Sequence, residues 1–525
     1  MPRSSLFLLV AALLLTPAAG AQGHDGHDAV GTVNFEASCN EAAQRGMDRG
    51  VAMLHSFWFA EARETFTAVL QDDPRCGIAW SGIALTFFGN PFGGGTGPDA
   101  QARGGEAAGR AVLTGAGSAR DSAFIGAVAS LYRDHETVPN RTRMASFERA
   151  LGEMARRFPA DTEATIFHAL WMVATASPDD TTYARQLAAA RIMTPLFERQ
   201  PDHPGLAHYI IHAYDAPSLA PRALDAARRY AEIAPSAPHA LHMPSHTFTR
   251  LGYWNESIAT NRRSADAEPV RGAKAHPLDY LVYAYLQQGR ERVARAALAE
   301  IAGAGSDDEI GMLGSYNGRA MPARMALELD DWPAARRLRG GPDDPPSVRA
   351  VTLFARALGA ARSGDADAAR AGNDSLAGVV ASLRDAGEAH WAHTVGAQHR
   401  AVAAWIAHLE GKPDVALRLA REAADLEDQV EKHPVTPGPL LPARELYGDL
   451  LMLNGRFPEA LGAYESTMTR EPNRLRTLYG AARAARAAGR DEAARRYFQA
   501  IRELVDPESG HPALREAHTF LAVGR

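Results

Sequence analysis

A chain of 525 residues with 46% apolar content and a formal charge of −6 can bury a large core, as several domains or as one long solenoid. So small a net charge argues against a nucleic-acid partner and against a polybasic membrane-binding surface. Beyond the first residues, no apolar run is long enough to span a bilayer.

The beginning of the chain reads as an export signal, expected over residues 1–21. Arg3 supplies the positive start, Leu6–Leu15 an apolar run of secretory length, and Ala19-Gly20-Ala21 a small-residue cleavage site. The expected location is therefore periplasmic or secreted. Residues 22–38 open as QGHDGHDAVGTVN and are expected to form a flexible leader. Cleavage after Ala21 would leave His24 third from a free amine, an arrangement that chelates Cu(II) or Ni(II).

Export makes Cys39 and Cys76 a candidate disulfide. They flank the first predicted helical hairpin, whose two ends lie close together. Two unpaired buried thiols are the alternative.

Between them the first repeat is clear. Gly50, Ala62, Phe66 and Pro74 follow a small–small–aromatic–proline spacing, and Trp80 opens the next unit. Small residues let two helices approach, the aromatic fills the gap, and proline ends the second helix. A Gly-rich insertion, GNPFGGGTGPDAQARGG, interrupts from Gly89 to Gly105. It lacks the Lys-Ser/Thr of a phosphate loop, so no nucleotide cofactor is expected. A loop capping or entering the concave face of the solenoid fits better. Helices continue from Asp121, and Pro201, Pro235 and Pro269 recur at intervals of 34 residues. From Arg290 to Ala423 the repeats blur. KHPVTPGPLLPAR then places Pro434, Pro437, Pro439 and Pro442 within nine residues, which predicts an extended segment. Gly448, Ala460, Tyr464 and Pro472 restore the pattern.

These spacings resemble those of tetratricopeptide repeat proteins over most of residues 40–505. HALHMPSHTFTRLGYW and KHPVTPGPLLPARELYGD also resemble a group of exported bacterial repeat proteins. The resemblance implies an all-α superhelical solenoid of antiparallel helix pairs. The expected divisions are 39–120 with the Gly-rich insertion, 121–290 with the histidines, 291–430 with degenerate repeats, and 431–525 with the Pro-rich segment and the last repeats.

The functional signal is histidine recurring with the repeat. His208, His242 and His276 are 34 residues apart, as are His212, His246 and Tyr280. His208 and His212, continued by Asp215, form one row one turn apart on a helix face; His242 and His246 form the adjacent row, about 10 Å away. Paired imidazoles at i, i+4 commonly supply two metal ligands, and imidazole-rich sites suit Cu or Zn. The four could converge on one tetrahedral site or on two closely spaced metals. His239 lies one turn before His242, but Pro244 must start or kink its helix there, displacing His239 from the row. His276 is the remaining candidate ligand. Asp215 and Tyr280 are candidate substrate-binding groups, with Tyr214 a further acid–base candidate. His55 reads as a hydrogen-bonded core residue. Glu388, His390, His393 and His433 reach the groove only if the superhelix closes. No HExxH, GxSxG or nucleophile triad is present. The chemistry leaves two functions open: a transition-metal site with or without catalysis, or a metal-free scaffold holding a peptide or protein partner in the groove.

Overall fold

The computed structural model describes residues 29–93, 95–177, 180–301 and 307–523. Over them the chain forms 26 α-helices and no strand, the all-α solenoid expected. None of these helices is long and apolar enough to cross a membrane. The export signal over 1–21, the leader residues 22–28 and His24 lie outside the described residues.

The repeat packing follows from the small residues. Helices Glu41–His55 and Phe59–Asp72 form the first hairpin, and Gly77–Phe88 begins the next. Phe66 is fully buried between Gly50 and Gly82. A Cβ on Gly50 would stand 2.6 Å from its ring, and one on Gly82 2.7 Å, so both neighbours must lack a side chain for three helices to close on one aromatic. Gly448 and Gly480 hold Tyr464 in the same way near the other end.

Cys39 and Cys76 are bonded, with their Cα atoms 5.0 Å apart across the ends of the first hairpin. In the chain-entropy model a bridge spanning 37 residues stabilises by about 3–4 kcal/mol. Cys39→Ser/Cys76→Ser is expected to lose that amount as a lower urea midpoint at constant m, and denatured wild type without reductant to titrate no thiol. Two titratable thiols would refute the bridge.

The expected flexible leader is corrected over its described part. Residues 29–38 are extended and packed: Val30, Val33 and Phe35 are buried, Thr32 N–H donates to Asp202 O at 2.9 Å, and Phe35 N–H to Asp48 Oδ1 at 2.8 Å. Those three apolar side chains fill the first core, which outweighs the polar composition before them. The Gly-rich insertion is also more structured than a loop. It makes a 3-10 turn at Pro91–Gly93, and its last residues belong to the helix Pro98–Thr114.

Two large cores run from Val30 to Phe248 and from Tyr316 to Ala517, with a smaller one around Leu278, Leu281 and Met321 between them. The superhelix closes on itself. Trp254 Nε1 donates to Asn473 O at 2.8 Å, and Asp506 N–H to Gln288 O at 3.0 Å. The Pro-rich segment passes through the closed interior. Proline carbonyls accept but proline nitrogens cannot donate, so the segment is held by donors on the surrounding helices. Asn317 Nδ2 reaches Val435 O at 2.8 Å, and the fully buried Arg324 reaches Pro439 O at 2.9 Å and Gly438 O at 3.3 Å while paired with Asp279.

Candidate metal centre

Four short helices carry the histidines: Pro204–Ala213, Pro238–His242, Pro244–Arg250 and Ala275–Gln287. Proline lies in the first turn of each of the first three, where its missing N–H costs nothing. The chain resolves the Pro244 conflict by ending one helix at His242 and starting the next at Pro244, with Met243 in αR conformation between them. His239 lies nearer His208, with ring centroids 4.9 Å apart, than His242, at 6.1 Å.

The six imidazoles form two groups of three. In the first, His208 Nε2 lies 3.1 Å from His212 Nε2 and 3.2 Å from His239 Nε2. In the second, His242 Nε2 lies 3.1 Å from His246 Nε2, and His276 completes the group, its ring centroid 4.3 Å from that of His242. In each group one nitrogen per residue lies within 4.8 Å of the others. Of the two arrangements left open by the sequence, the histidines are grouped as two adjoining sets, each of three rather than two, and His239 belongs to one of them. The triads adjoin: ring centroids of His212 and His246 are 6.0 Å apart, those of His239 and His242 6.1 Å.

Hydrogen bonds on the far side of three of the rings set their tautomers. His208 Nδ1 donates to His55 O at 2.7 Å. His242 Nδ1 donates to Asn261 Oδ1 at 2.7 Å, and that amide is oriented by its own Nδ2 donating to Ser257 O. His246 Nδ1 donates to Asp215 Oδ2 at 2.9 Å. Each of these rings therefore turns a bare Nε2 lone pair inward. His276 Nδ1 is buried with no hydrogen-bond partner. Burial holds His208, His212, His239 and His242 well below the ordinary imidazole value, and neighbouring histidines add to the effect. Burial also lowers His246, against the pull of Asp215, and brings His276 down to about 3. All six rings are neutral at pH 7, the state that binds metal.

Asp215 sits behind the second triad, on His246 Nδ1, and also borders the cavity beside His212. Burial acts to raise its carboxyl, but Lys432, Arg250 and His246 outweigh this and hold it well below the carboxylate range. It accepts from Arg250 Nε at 2.9 Å. Tyr280 is closer to the centre: its hydroxyl lies 3.3 Å from His246 Nε2 and binds the carbonyls of Pro434 and Thr436. Burial raises its phenol well above the usual value. Tyr214 is half-buried against the first core.

His55, Glu163 and His203 form a third buried group, of different character. Glu163 accepts from His55 Nε2 at 2.9 Å and from His203 Nε2 at 2.8 Å. His55 Nδ1 meets Tyr209 OH at 2.7 Å, and His203 Nδ1 accepts the Leu206 N–H. Every ring nitrogen is satisfied, so this is a polar core network, as expected for His55. It positions the first triad, because His55 O is the acceptor for His208.

The two departures from the repeat pattern cover the two triads. Phe92, from the Gly-rich insertion, stacks on His212 with centroids 3.9 Å apart, and Phe57 packs edge-on against His208 at 4.4 Å. The Pro-rich segment lies over Tyr280 and the second triad. A cavity of about 310 Å³ opens beside His212, its wall including Phe92, His390, Lys432 and His433. His390 and His433 thus reach the interior. His393 instead binds Leu426 O at 2.9 Å, and Glu388 is exposed. Asn261, Lys432, Phe57 and Phe92 lie outside the 34-residue histidine register, and sequence spacing gave no sign of them.

No family model matches the chain, and no curated protein does. Solved structures that resemble it include yeast Tom70 at 12% identity and TM-score 0.30, covering 92% of this chain and 96% of that one. The Cut9–Hcn1 hetero-tetramer of the APC/C matches at 10% identity and TM-score 0.35, covering 92% and 95%. Naa15/Naa10 bound to HypK-THB matches at 12% and 0.24, covering 92% and 73%. Likeness at these scores bears on neither activity nor partner.

Proposed function

We propose that the protein is exported and binds two transition-metal ions, one at His208, His212 and His239 and one at His242, His246 and His276. The observation that carries this reading is the contact between His242 and His246. Both rings spend their Nδ1 proton on an oxygen acceptor, so two unprotonated Nε2 atoms face each other at 3.1 Å inside the protein. Two buried lone pairs with no proton between them repel, and a cation between them turns that repulsion into two bonds. The spacing suits one ion: metal–nitrogen bonds of 2.0–2.1 Å in tetrahedral geometry separate ligand atoms by about 3.3 Å. Neutral imidazole donors fit Cu and Zn. Among the residues, Asp215 and Asn261 orient ligands, Tyr280 offers a hydroxyl at the second ion, and His212 faces the cavity. The groove beside the histidines is filled by residues 431–442, which disfavours a scaffold holding a partner peptide there.

Metal analysis of untagged protein tests the reading, with two ions per chain expected. Protein that takes up neither Cu nor Zn at micromolar levels near pH 7.5 would refute it. Asn261→Ala removes the acceptor that fixes His242 without touching a ligand atom. It is expected to weaken the second ion about 10–100-fold, the usual effect of losing an outer hydrogen bond, and to leave the first unchanged in competition with a chelator. Equal weakening at both ions would count against separate triads.

A further inference from the structure

Charge decides what kind of metal pair this centre tolerates. All six donors are neutral imidazoles, and no carboxylate enters either triad. The nearest one, Asp215, is already matched by Arg250 and Lys432, and Glu431 is matched by Arg250 and Arg470. The surroundings thus bring no surplus negative charge. Two divalent ions in adjoining buried triads would concentrate four positive charges where little water screens them. Two Cu(I) ions halve that charge, and imidazole is a donor that suits copper. Oxidising the pair is then favourable only if an anion arrives with the change.

The second element is the cavity beside His212. Its wall sets apolar Phe92, Val173 and Pro434 beside charged Arg141, Asp215 and Lys432, with Gln186 among them. At about 310 Å³ it is at the lower end of small-ligand pockets, enough for one substituted ring. Phe92 stacked flat on His212 marks the approach to the first triad as a slot for planar groups.

Building on the two-ion reading, we infer that the centre is a copper pair that reduces dioxygen and oxidises an o-diphenol bound in the cavity at His212. Each Cu(I) gives one electron, and dioxygen becomes a peroxide dianion, the negative charge that the donor set lacks. The diphenol returns electrons to the pair: each ring loses two electrons and two protons and leaves as the o-quinone. Two diphenols and one dioxygen yield two quinones and two waters, so four electrons and four protons are transferred. Gln186 and Lys432 in that wall are the hydrogen-bonding groups for the two hydroxyls, and Phe92, Val173 and Pro434 supply apolar surface for the ring.

The test uses the intact chain loaded anaerobically with Cu(I) and then exposed to dioxygen. Expected are one dioxygen bound per two copper ions, an intense near-ultraviolet charge-transfer band that fades when dioxygen is pumped off, and oxidation of 4-tert-butylcatechol with one dioxygen consumed per two quinones formed. A chain that holds two copper ions but shows neither band nor uptake beyond free copper overturns the inference and leaves the two-ion reading standing. So does a chain that takes two Zn(II) and no Cu(I). A band without catechol oxidation overturns the substrate assignment, whereas a chain that binds no metal fails at the earlier step.

Discussion

His212→Ala is expected to leave the folded protein with one metal ion in place of two, and His246→Ala to do the same through the other triad. Each variant removes one of three ligand atoms, a larger loss than the outer hydrogen bonds whose removal costs about 10–100-fold. Neither side chain contributes to the aliphatic core, so far-UV spectra should be unchanged. The double variant should bind no metal, because the two ligands belong to different groups of three. A single site built from His208, His212, His242 and His246 predicts otherwise: either substitution alone would empty it, and the second would add nothing. Metal-to-protein ratios of the two single variants therefore separate the arrangements. Thermal stability provides a second readout, since an ion bound only by the native state stabilises by RT ln(1 + [L]/Kd). Wild type should lose its metal-induced rise in Tm in two steps across the series.

The metal-free protein is expected to lose stability steeply as pH falls below about 6.5. A free histidine titrates near 6.5, whereas burial holds all six of these rings lower in the folded state, His276 at about 3. Between those values the unfolded chain binds protons that the folded one refuses. Stability is thus fully present above about 6.5 and falls as pH drops toward the folded values. Each ring contributes about 1.4 kcal/mol per pH unit, with an upper bound of roughly 8 kcal/mol per unit for six. Urea midpoints at constant m between pH 7.5 and 5 would measure it, below the range where Lys432 titrates at about 8. Metal should raise the midpoints without flattening the curve, because ions held by three nitrogens each keep protons off the folded rings while the unfolded chain still takes them up. A metal-free midpoint independent of pH across that window would show that the rings are hydrated and ordinary.

The fold was largely legible because the packing of antiparallel helix pairs is written in local spacing. Gly50, Phe66 and Pro74 occupy fixed offsets, and the structure gives each the role that its offset implies. Five of the six histidines were legible for the same reason, since a 34-residue period repeats one helix face; His239 stands outside that period. Their grouping was not. His239 meets His208 across to the preceding repeat, and His276 joins His242 from a third repeat. Asp215, read as a neighbour of its own row, serves His246 across the groove. Such pairings depend on how adjacent repeats twist, which periodicity does not encode. The burial of Val30, Val33 and Phe35 was hidden for a different reason: three apolar residues in a polar stretch carry no period.

The cover of the second triad has a consequence for assembly. Tyr280 is held under the carbonyls of Pro434 and Thr436, which come 154 and 156 residues later in the chain. During synthesis the histidines emerge well before the segment that closes over them, so there is an interval in which the triad is open. An ion captured then is enclosed when Arg324 and Asn317 fasten the segment. Its later release is governed by local opening of that segment rather than by the lability of imidazole ligands. Exchange at the second triad should therefore be slower than at the first, where His212 borders the cavity, even with equal affinities.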